Sequence, residues 1–296
     1  MRHTWIIDGA LAQSPLPSFF EIDEYSRIFT AVVVLTESHE HYPMYLEWLE
    51  RRGLGVLHLP TKDFHPLDIL SLLEAVVFIE EEVSRGGRVL VHCKGGVGRS
   101  SMVTVAYLLY KGSDLYNAIR HVRARVPNAL ENSWQVGRLE DFHQFLAVVG
   151  DPIKYYHSRN EIISNKLSRK HLSRVIEFAI RLSGLFPQDT RKISILRAAF
   201  HHDKLGMNTR HLSQREDELP EGDEIVYLAH QLDVCSNSSI AVLDAIIENR
   251  ELIIKLYTEK PLDSGFHKCI EESLSRYSKK VGRRILVESL NYYDYL

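Results

Sequence analysis

The hydrophobic and polar positions along this chain fall into two textures. In the first, short apolar runs alternate with segments of helical period. Ile28 to Leu35 (IFTAVVVL) is rich in β-branched residues and predicts a buried strand. Tyr45 to Arg52 has a helical pattern closed by Gly53, and Gly55 to Leu59 (GVLHL) predicts a second strand. Pro66 to Val83 carries apolar residues at helical spacing. Pro66 lies near its first turn and Asp68 just inside it, both favourable at a helix start. Gly86-Gly87 breaks the chain; Arg88 to Val91 predicts a third strand and Ser100 to Leu109 a buried helix. Asp114 to Val126 and Ser133 to Val148 predict two more helices. Strands alternating with helices imply an α/β layer structure with a mostly parallel sheet flanked by helices.

The second texture begins after Gly150-Asp151-Pro152, which predicts a boundary between a domain at 1–150 and another at 151–296. Leu167 to Leu182, Lys192 to Phe200, Asp223 to Val234, Ser239 to Tyr257 and Phe266 to Val281 all fit a helical period. Strand signals nearly vanish, so this domain is expected to be mostly α-helical.

Composition narrows the function. The 296 residues are 45% hydrophobic and 25% charged, an ordinary globular balance whose length suits two domains. The net charge is -3. Residues 1–150 hold 14 Lys/Arg against 18 Asp/Glu, and the remainder holds 22 against 21. Neither half is a polyelectrolyte, so no nucleic-acid partner is expected. Cys93, Cys235 and Cys269 are the only cysteines, which argues against a disulfide framework and for a reducing compartment. No apolar run follows Met1-Arg2-His3-Thr4-Trp5 as in a signal peptide, and no stretch approaches about 20 uninterrupted apolar residues. A cytoplasmic protein with no membrane span is expected, and the sequence leaves its oligomeric state open.

The candidate chemistry sits in VHCKGGVGRSS, Val91 to Ser101. A predicted strand ends at His92-Cys93, a predicted helix begins near Arg99, and three glycines lie between. A glycine-rich turn at a helix N-terminus points several backbone N–H groups into one concavity, and the helix dipole adds positive potential. Lys94, Gly95, Gly96, Val97, Gly98 and Arg99 thus make a cradle for a phosphate. Cys93 facing those donors presents its nucleophilic thiolate, which they stabilise. Arg99 offers a bidentate fork to two phosphate oxygens, and the Ser100 hydroxyl can assist the sulfur as a leaving group. A buried structural cysteine beside a helix cap is the bland alternative. A nucleotide-binding loop of the G-x-x-x-x-G-K-[ST] kind is excluded by spacing and by the missing lysine.

Thiolate attack on a phosphate ester also needs a proton donor for the leaving oxygen. LPTKDFHPLD (Leu59 to Asp68) places Asp63 in a loop thirty residues before the cysteine. Asp68 competes for that role but suits the first turn of the next helix.

These two segments together resemble the cysteine-dependent protein phosphatases, in particular the compact archaeal dual-specificity type, over about Trp5 to Phe145. The resemblance implies a phosphatase-like fold without a cofactor, and a phosphoprotein substrate. It implies Cys93 as nucleophile, Arg99 as phosphate clamp, Asp63 as general acid, Ser100 assisting the thiolate, and His92 positioning the loop and tuning the cysteine. In ALENSWQVGRLEDF it implies Gln135 as the residue that places the hydrolytic water, an ordinary helix-surface glutamine being the alternative. Glu131 stands where the family often carries a glutamine. Lys94 beside the cysteine could favour acidic substrates, but Val97 departs from the lipid-phosphatase pattern. A shallow site for phosphotyrosine, extending to phosphoserine and phosphothreonine, is expected.

In the second texture, His171, the pair His202-Asp203, and Asp233 resemble the HD phosphohydrolase pattern. That resemblance implies four ligands for a divalent metal; a helical recognition or dimerisation module is the alternative. Two other functions remain open for the whole chain. One is a phosphopeptide-binding module with an impaired acid, and the other a metal-dependent nucleotide phosphohydrolase centred on the C-terminal domain.

Overall fold

Val89, Leu90 and Val91 have no exposed face, because helices cover both sides of the strand they form. That strand, β5 (Val89–His92), is the centre of a five-stranded sheet. The computed structural model describes residues 2–200 and 224–295. The chain divides into two compact units, Met1–Leu146 with Asp151–His157, and Ala147–Gly150 with Ser158–Leu296.

In the first unit, β1 (Thr4–Ile7) and β2 (Leu11–Ser14) form an antiparallel pair, followed by α1 (Phe19–Ile28). Then come β3 (Ala31–Val34), α2 (Tyr45–Arg51), β4 (Gly55–His58) and α3 (Ile69–Ser84). After β5 follow α4 (Arg99–Tyr110), α5 (Leu115–Arg123), α6 (Ser133–Val149) and α7 (Pro152–Ser158). The sheet order is β1-β2-β5-β3-β4, and β2, β5, β3 and β4 are mutually parallel. Ser14, His92 and Val34 stand in register, so the parallel strands end at one edge. The loop leaving β5 therefore emerges between the loops leaving β2 and β3, where open α/β sheets place their ligands.

The predicted strands appear within a residue or two of their expected ends, except that the 28–35 run shortens to Ala31–Val34. The helix expected from Pro66 starts only at Ile69. Asp68 is its N-cap, with a carboxylate accepting from Ser71 N at 2.8 Å and from Ser71 Oγ at 2.7 Å. Helix α7 packs back on the first unit, with Tyr155 against Phe145.

The second unit contains α8 (Asn160–Ser164), α9 (Lys166–Ser183), α10 (Gln188–Ala199) and α11 (Glu224–Cys235). The segment read as a helix from Ser239 to Tyr257 is instead a hairpin, β6 (Ile240–Glu248) and β7 (Glu251–Thr258). Asn249 and Arg250 turn it with φ of 48° and 71°, the left-handed pair of a two-residue hairpin. Its β-branched residues suit a pleated sheet better than a helix. From β7 the helix α12 (Phe266–Val281) crosses over to β8 (Ile285–Asn291), which pairs parallel with β7. Helix still outweighs strand among the described residues. The expectation of unpaired cysteines is also corrected, since Cys235 and Cys269 form a disulfide between α11 and α12. No helix among the described residues is long and apolar enough to cross a membrane.

Candidate active site

The loop after β5 wraps the sulfur of Cys93. Gly96 N–H donates to Cys93 Sγ at 3.1 Å, and Ser100 Oγ lies 3.5 Å from the same atom. Cys93 and Ser100 are buried, whereas Lys94 and Gly95 face solvent. Gly96 is required twice over. Its φ is 74°, and a Cβ there would come within 2.6 Å of the Ser14 carbonyl carbon. Buried Gln13 on β2 braces the loop from behind. Its amide donates to Gly96 O and Ser101 Oγ, both at 3.0 Å, and its carbonyl accepts from Thr104 Oγ1 at 2.8 Å. Nothing in the motif points to Gln13.

Arg99 opens α4 and is fully buried. Glu40, on the loop leaving β3, grips it from one side, Oε2 to NH1 at 2.7 Å and Oε1 to NH2 at 3.0 Å. The Thr61 carbonyl accepts from NH1 at 2.7 Å. Burial pushes the Glu40 carboxyl up, but the Arg99 hydrogen bonds outweigh it and hold the group below the ordinary glutamate range. Arg99 Nε–H is buried with no hydrogen-bond partner among the described residues. A donor fixed in direction, desolvated and unsatisfied is what an incoming phosphoryl oxygen can use. Glu40 was not recognisable from the sequence, because a lone loop glutamate has no spacing rule.

Asp63 lies on the loop leaving β4, its Oδ1 2.9 Å from Arg99 NH2 and its side chain 46% exposed. It is thus at the loop's mouth, while Asp68 is occupied as a cap. Asn132 Nδ2 donates to Phe64 O at 2.8 Å, and Leu130 N donates to Val97 O at 3.1 Å, joining the 130–132 segment to both loops. Gln135 is fully buried, not a surface residue, and its Oε1 accepts from Glu131 N at 2.8 Å. Its Nε2 is buried without a partner among the described residues. A Cβ on Gly98 would lie 2.9 Å from that Nε2 and 2.8 Å from Glu131 Cδ, so both side chains overhang the loop. Burial and the nearby Asp63 push the Glu131 carboxyl up, with Arg99 opposing them. A second carboxyl therefore stands over the site with an increased hold on its proton.

His92 is fully buried, with Nε2 2.9 Å from Tyr45 Oη and Nδ1 3.3 Å from Cys93 O. Burial lowers it to about 3, against the raising effect of the Cys93 carbonyl. It is a neutral hydrogen-bonding strut beneath the loop.

In the second unit, His171 and Asp233 meet. His171 Nδ1 contacts Asp233 Oδ2, and Arg174 binds both oxygens of the same carboxylate while donating to Ser238 Oγ at 2.7 Å. Burial pushes Asp233 up, but His171 and Arg174 outweigh it and keep the carboxyl below its usual value. A metal would have to displace Arg174 from this carboxylate. No group of three or more His, Cys, Asp or Glu suited to a metal occurs among the described residues. His202 and Asp203 lie outside the described residues. Of the four residues, the structure thus brings His171 and Asp233 together, with Arg174 on the same carboxylate.

Residues 25–145 match the model of the dual specificity phosphatase catalytic domain. Dual specificity protein phosphatase 1 of Arabidopsis thaliana is 41% identical over 76 residues, 25% of this chain and 38% of the relative. Dual specificity protein phosphatase Mpk3 of Drosophila melanogaster is 38% identical over 99 residues, 33% of this chain and 24% of that protein. The chain thus spans well under half the length of these curated relatives. The crystal structure of Tk-PTP in the active form is 42% identical, covering 48% of this chain and 96% of that one, with a TM-score of 0.46. The N-terminal half therefore carries a dual specificity phosphatase domain. The HD resemblance of the C-terminal half has no counterpart among these matches.

Proposed function

We propose that the protein hydrolyses phosphotyrosine, and also phosphoserine and phosphothreonine, in phosphoprotein substrates through a cysteinyl-phosphate intermediate formed in the domain at 1–150. The observation that carries this reading is the buried, unsatisfied Arg99 Nε–H beside a thiol that faces the Gly96 N–H. In the first step, Cys93 Sγ attacks phosphorus in line. The P–O bond to the leaving group breaks, and Asp63 gives its proton to that oxygen. In the second step, a water held by Gln135 loses a proton to Asp63 and attacks phosphorus; the S–P bond breaks and the thiolate returns, aided by Ser100. Arg99 and the loop amides hold the equatorial oxygens throughout. Besides substrate and water, the two steps use only groups of this chain.

A phosphopeptide-binding module would need an acid placed away from the loop, and Asp63 is in contact with the clamp. The domain at 151–296 is proposed as a helical companion module, with no reaction assigned to it. The Cys235–Cys269 bridge removes the cysteine argument for a reducing compartment, so a cytoplasmic location forms no part of the proposal. Hydrolysis of a phosphopeptide panel by the full chain, with and without EDTA, tests the reading. Turnover that survives EDTA and is lost on thiol alkylation is expected. Turnover abolished by EDTA would transfer the chemistry to a metal.

A further inference from the structure

Large apolar side chains that remain exposed are not spread evenly over the first unit. Among its described residues they are Phe19, Phe20, Tyr42, Met44, Phe64 and Tyr116. Five of the six lie on or just beyond the segments leaving β2, β3 and β4, at the sheet edge where the Cys93 loop emerges. Tyr116 alone lies elsewhere, at the start of α5 beneath the Arg120 guanidinium. Scattered exposed hydrophobics need no explanation, but a group gathered at one edge beside an anion cradle does.

The most exposed is Phe20, at 85%. Phe19 stacks edge-on against Trp48 at 4.4 Å and touches Phe20 at 5.9 Å. The backbone that carries Phe19 and Phe20 is fixed before any substrate arrives. Leu16 N–H donates to Lys94 O at 3.1 Å, fixing the segment to the phosphate loop. Ser18 and Glu21 then close a capping box, Ser18 N to Glu21 Oε2 at 2.9 Å, and Arg2 pins the same carboxylate at 3.0 Å. Preorganised aromatic area beside a charged pocket is a binding surface with little ordering cost.

We propose that Phe19, Phe20 and Trp48 form a specificity surface that takes an apolar side chain of the substrate polypeptide close to its phosphorylated residue. The proposal rests on the phosphatase reading above and adds the class of substrate segment. Continuity with the phosphate loop through Leu16 and Lys94 supports a ligand that occupies both at once. The charge of this edge favours a polypeptide over a lipid surface. Beside the rings, Arg2, Arg51 and Arg52 are each paired with a carboxylate, Glu21, Glu47 and Asp23, and the adjoining segments 15–18, 35–44, 59–68 and 93–98 add only Lys62 and Lys94, set against Glu37, Glu40, Asp63 and Asp68. An anionic bilayer is recognised by a cluster of about four to eight basic residues, which this edge lacks.

The test uses the full chain and two phosphotyrosine peptides that differ only in their flanking residues, leucine and phenylalanine in one and serine and aspartate in the other. Phe20→Ser should lower kcat/KM for the apolar peptide about tenfold, as loss of one aromatic burial would. It should leave the polar peptide and a small aryl phosphate unchanged, which also shows that the variant is folded. Tyr116→Ser should change none of the three. Equal effects of Phe20→Ser on both peptides would overturn the proposal. So would Phe20-dependent binding to phosphatidylinositol phosphate vesicles without peptide discrimination. If the wild-type chain fails to hydrolyse the aryl phosphate, the phosphatase reading is what has failed. The same apolar preference, read as peptide Kd, then decides this inference separately.

Discussion

Two buried clusters in this molecule use the same alphabet and end in different states. In the first unit Arg99 is held by Glu40 and Asp63. In the second, Arg174 is held by Asp233, which is also bound by His171. Both arginines belong to helices and both carboxylate partners Glu40 and Asp233 are almost fully buried. The difference lies in what is left over. Around Arg99, the Nε–H and the Gln135 amide are buried and unsatisfied among the described residues, and both border the sulfur-bearing loop. Around Asp233, both carboxylate oxygens are bonded within the fold, one to His171 and one to Arg174. An unsatisfied buried donor costs about 1–3 kcal/mol, so it marks a place where the fold gives up stability for a ligand. A saturated ion pair marks a place where it does not.

The largest effect expected is that of Cys93→Ser. It should reduce aryl phosphate turnover by at least about a thousandfold while leaving inorganic phosphate binding intact, because the serine alkoxide is not accessible near neutral pH. Calorimetry with phosphate measures the second half of the statement. A variant retaining more than a few per cent of the rate would remove the nucleophile from the loop.

Next come the two arginines. Arg99→Lys should lower turnover about 10²–10³-fold, nearly as much as Arg99→Ala, because a point charge cannot replace the planar fork. Arg174→Lys should leave turnover unchanged and only lower the melting temperature. If Arg174→Lys abolished activity, the two clusters would not differ in kind. The Glu40 brace adds a pH sign. Its carboxyl is depressed in the folded state, so its contribution is complete above the ordinary glutamate range and is lost as pH falls through the depressed value. Stability of the native Arg99 geometry should therefore decline only on the acid side, and Glu40→Gln should flatten that decline.

How much of this contrast the sequence carries depends on whether a residue's role is local. Cys93, Arg99 and Ser100 are readable because strand, glycine turn and helix follow one another within eleven residues. The sequence favours Asp63 over Asp68 because Asp68 suits a helix start, and Asp68 is indeed the N-cap of α3, bonded to Ser71. Glu40 and Gln13 act across 59 and 83 residues of chain, and no pattern records such distances. The same limit explains the hairpin of the second unit. Residues such as Ile240, Leu243, Ile247 and Ile254 occur at spacings that a helix could also use, and the β-branched content and the turn at Asn249 distinguish the two. The disulfide is not legible in the sequence because three cysteines give no framework to count; α11 and α12 must pack side by side before Cys235 and Cys269 can meet.

Asp63→Asn should lower the rate about a hundredfold for phenyl or alkyl leaving groups, and much less for a leaving group of very low pKa that needs no proton. A series of aryl phosphates measures this as a steeper dependence on leaving-group pKa. The outcome also tests the second carboxyl. If Glu131→Gln, and not Asp63→Asn, steepens the series, the proton comes from the group that burial and Asp63 push up.

The smallest effect on chemistry, and the sharpest for the comparison, concerns the bridge. Cys235 and Cys269 close a loop with a sequence separation of 34. Cross-linking such a loop restricts the unfolded chain and stabilises the folded one by about 3–4 kcal/mol in the chain-entropy account. Reduction, or Cys235→Ser, should lower the unfolding free energy of the second unit by that order, read as a lower unfolding midpoint. The rate at Cys93 should not change, since Gly96 and Ser100, which bond to its sulfur, belong to the first unit. Cys235→Ser is the better probe, because a reductant also acts on Cys93. Two unfolding transitions that respond separately, with only the one reporting α11 and α12 shifted, would establish that the saturated cluster belongs to a unit with its own stability. A parallel loss of aryl phosphate turnover would show instead that the loop at Cys93 depends on the second unit for its shape.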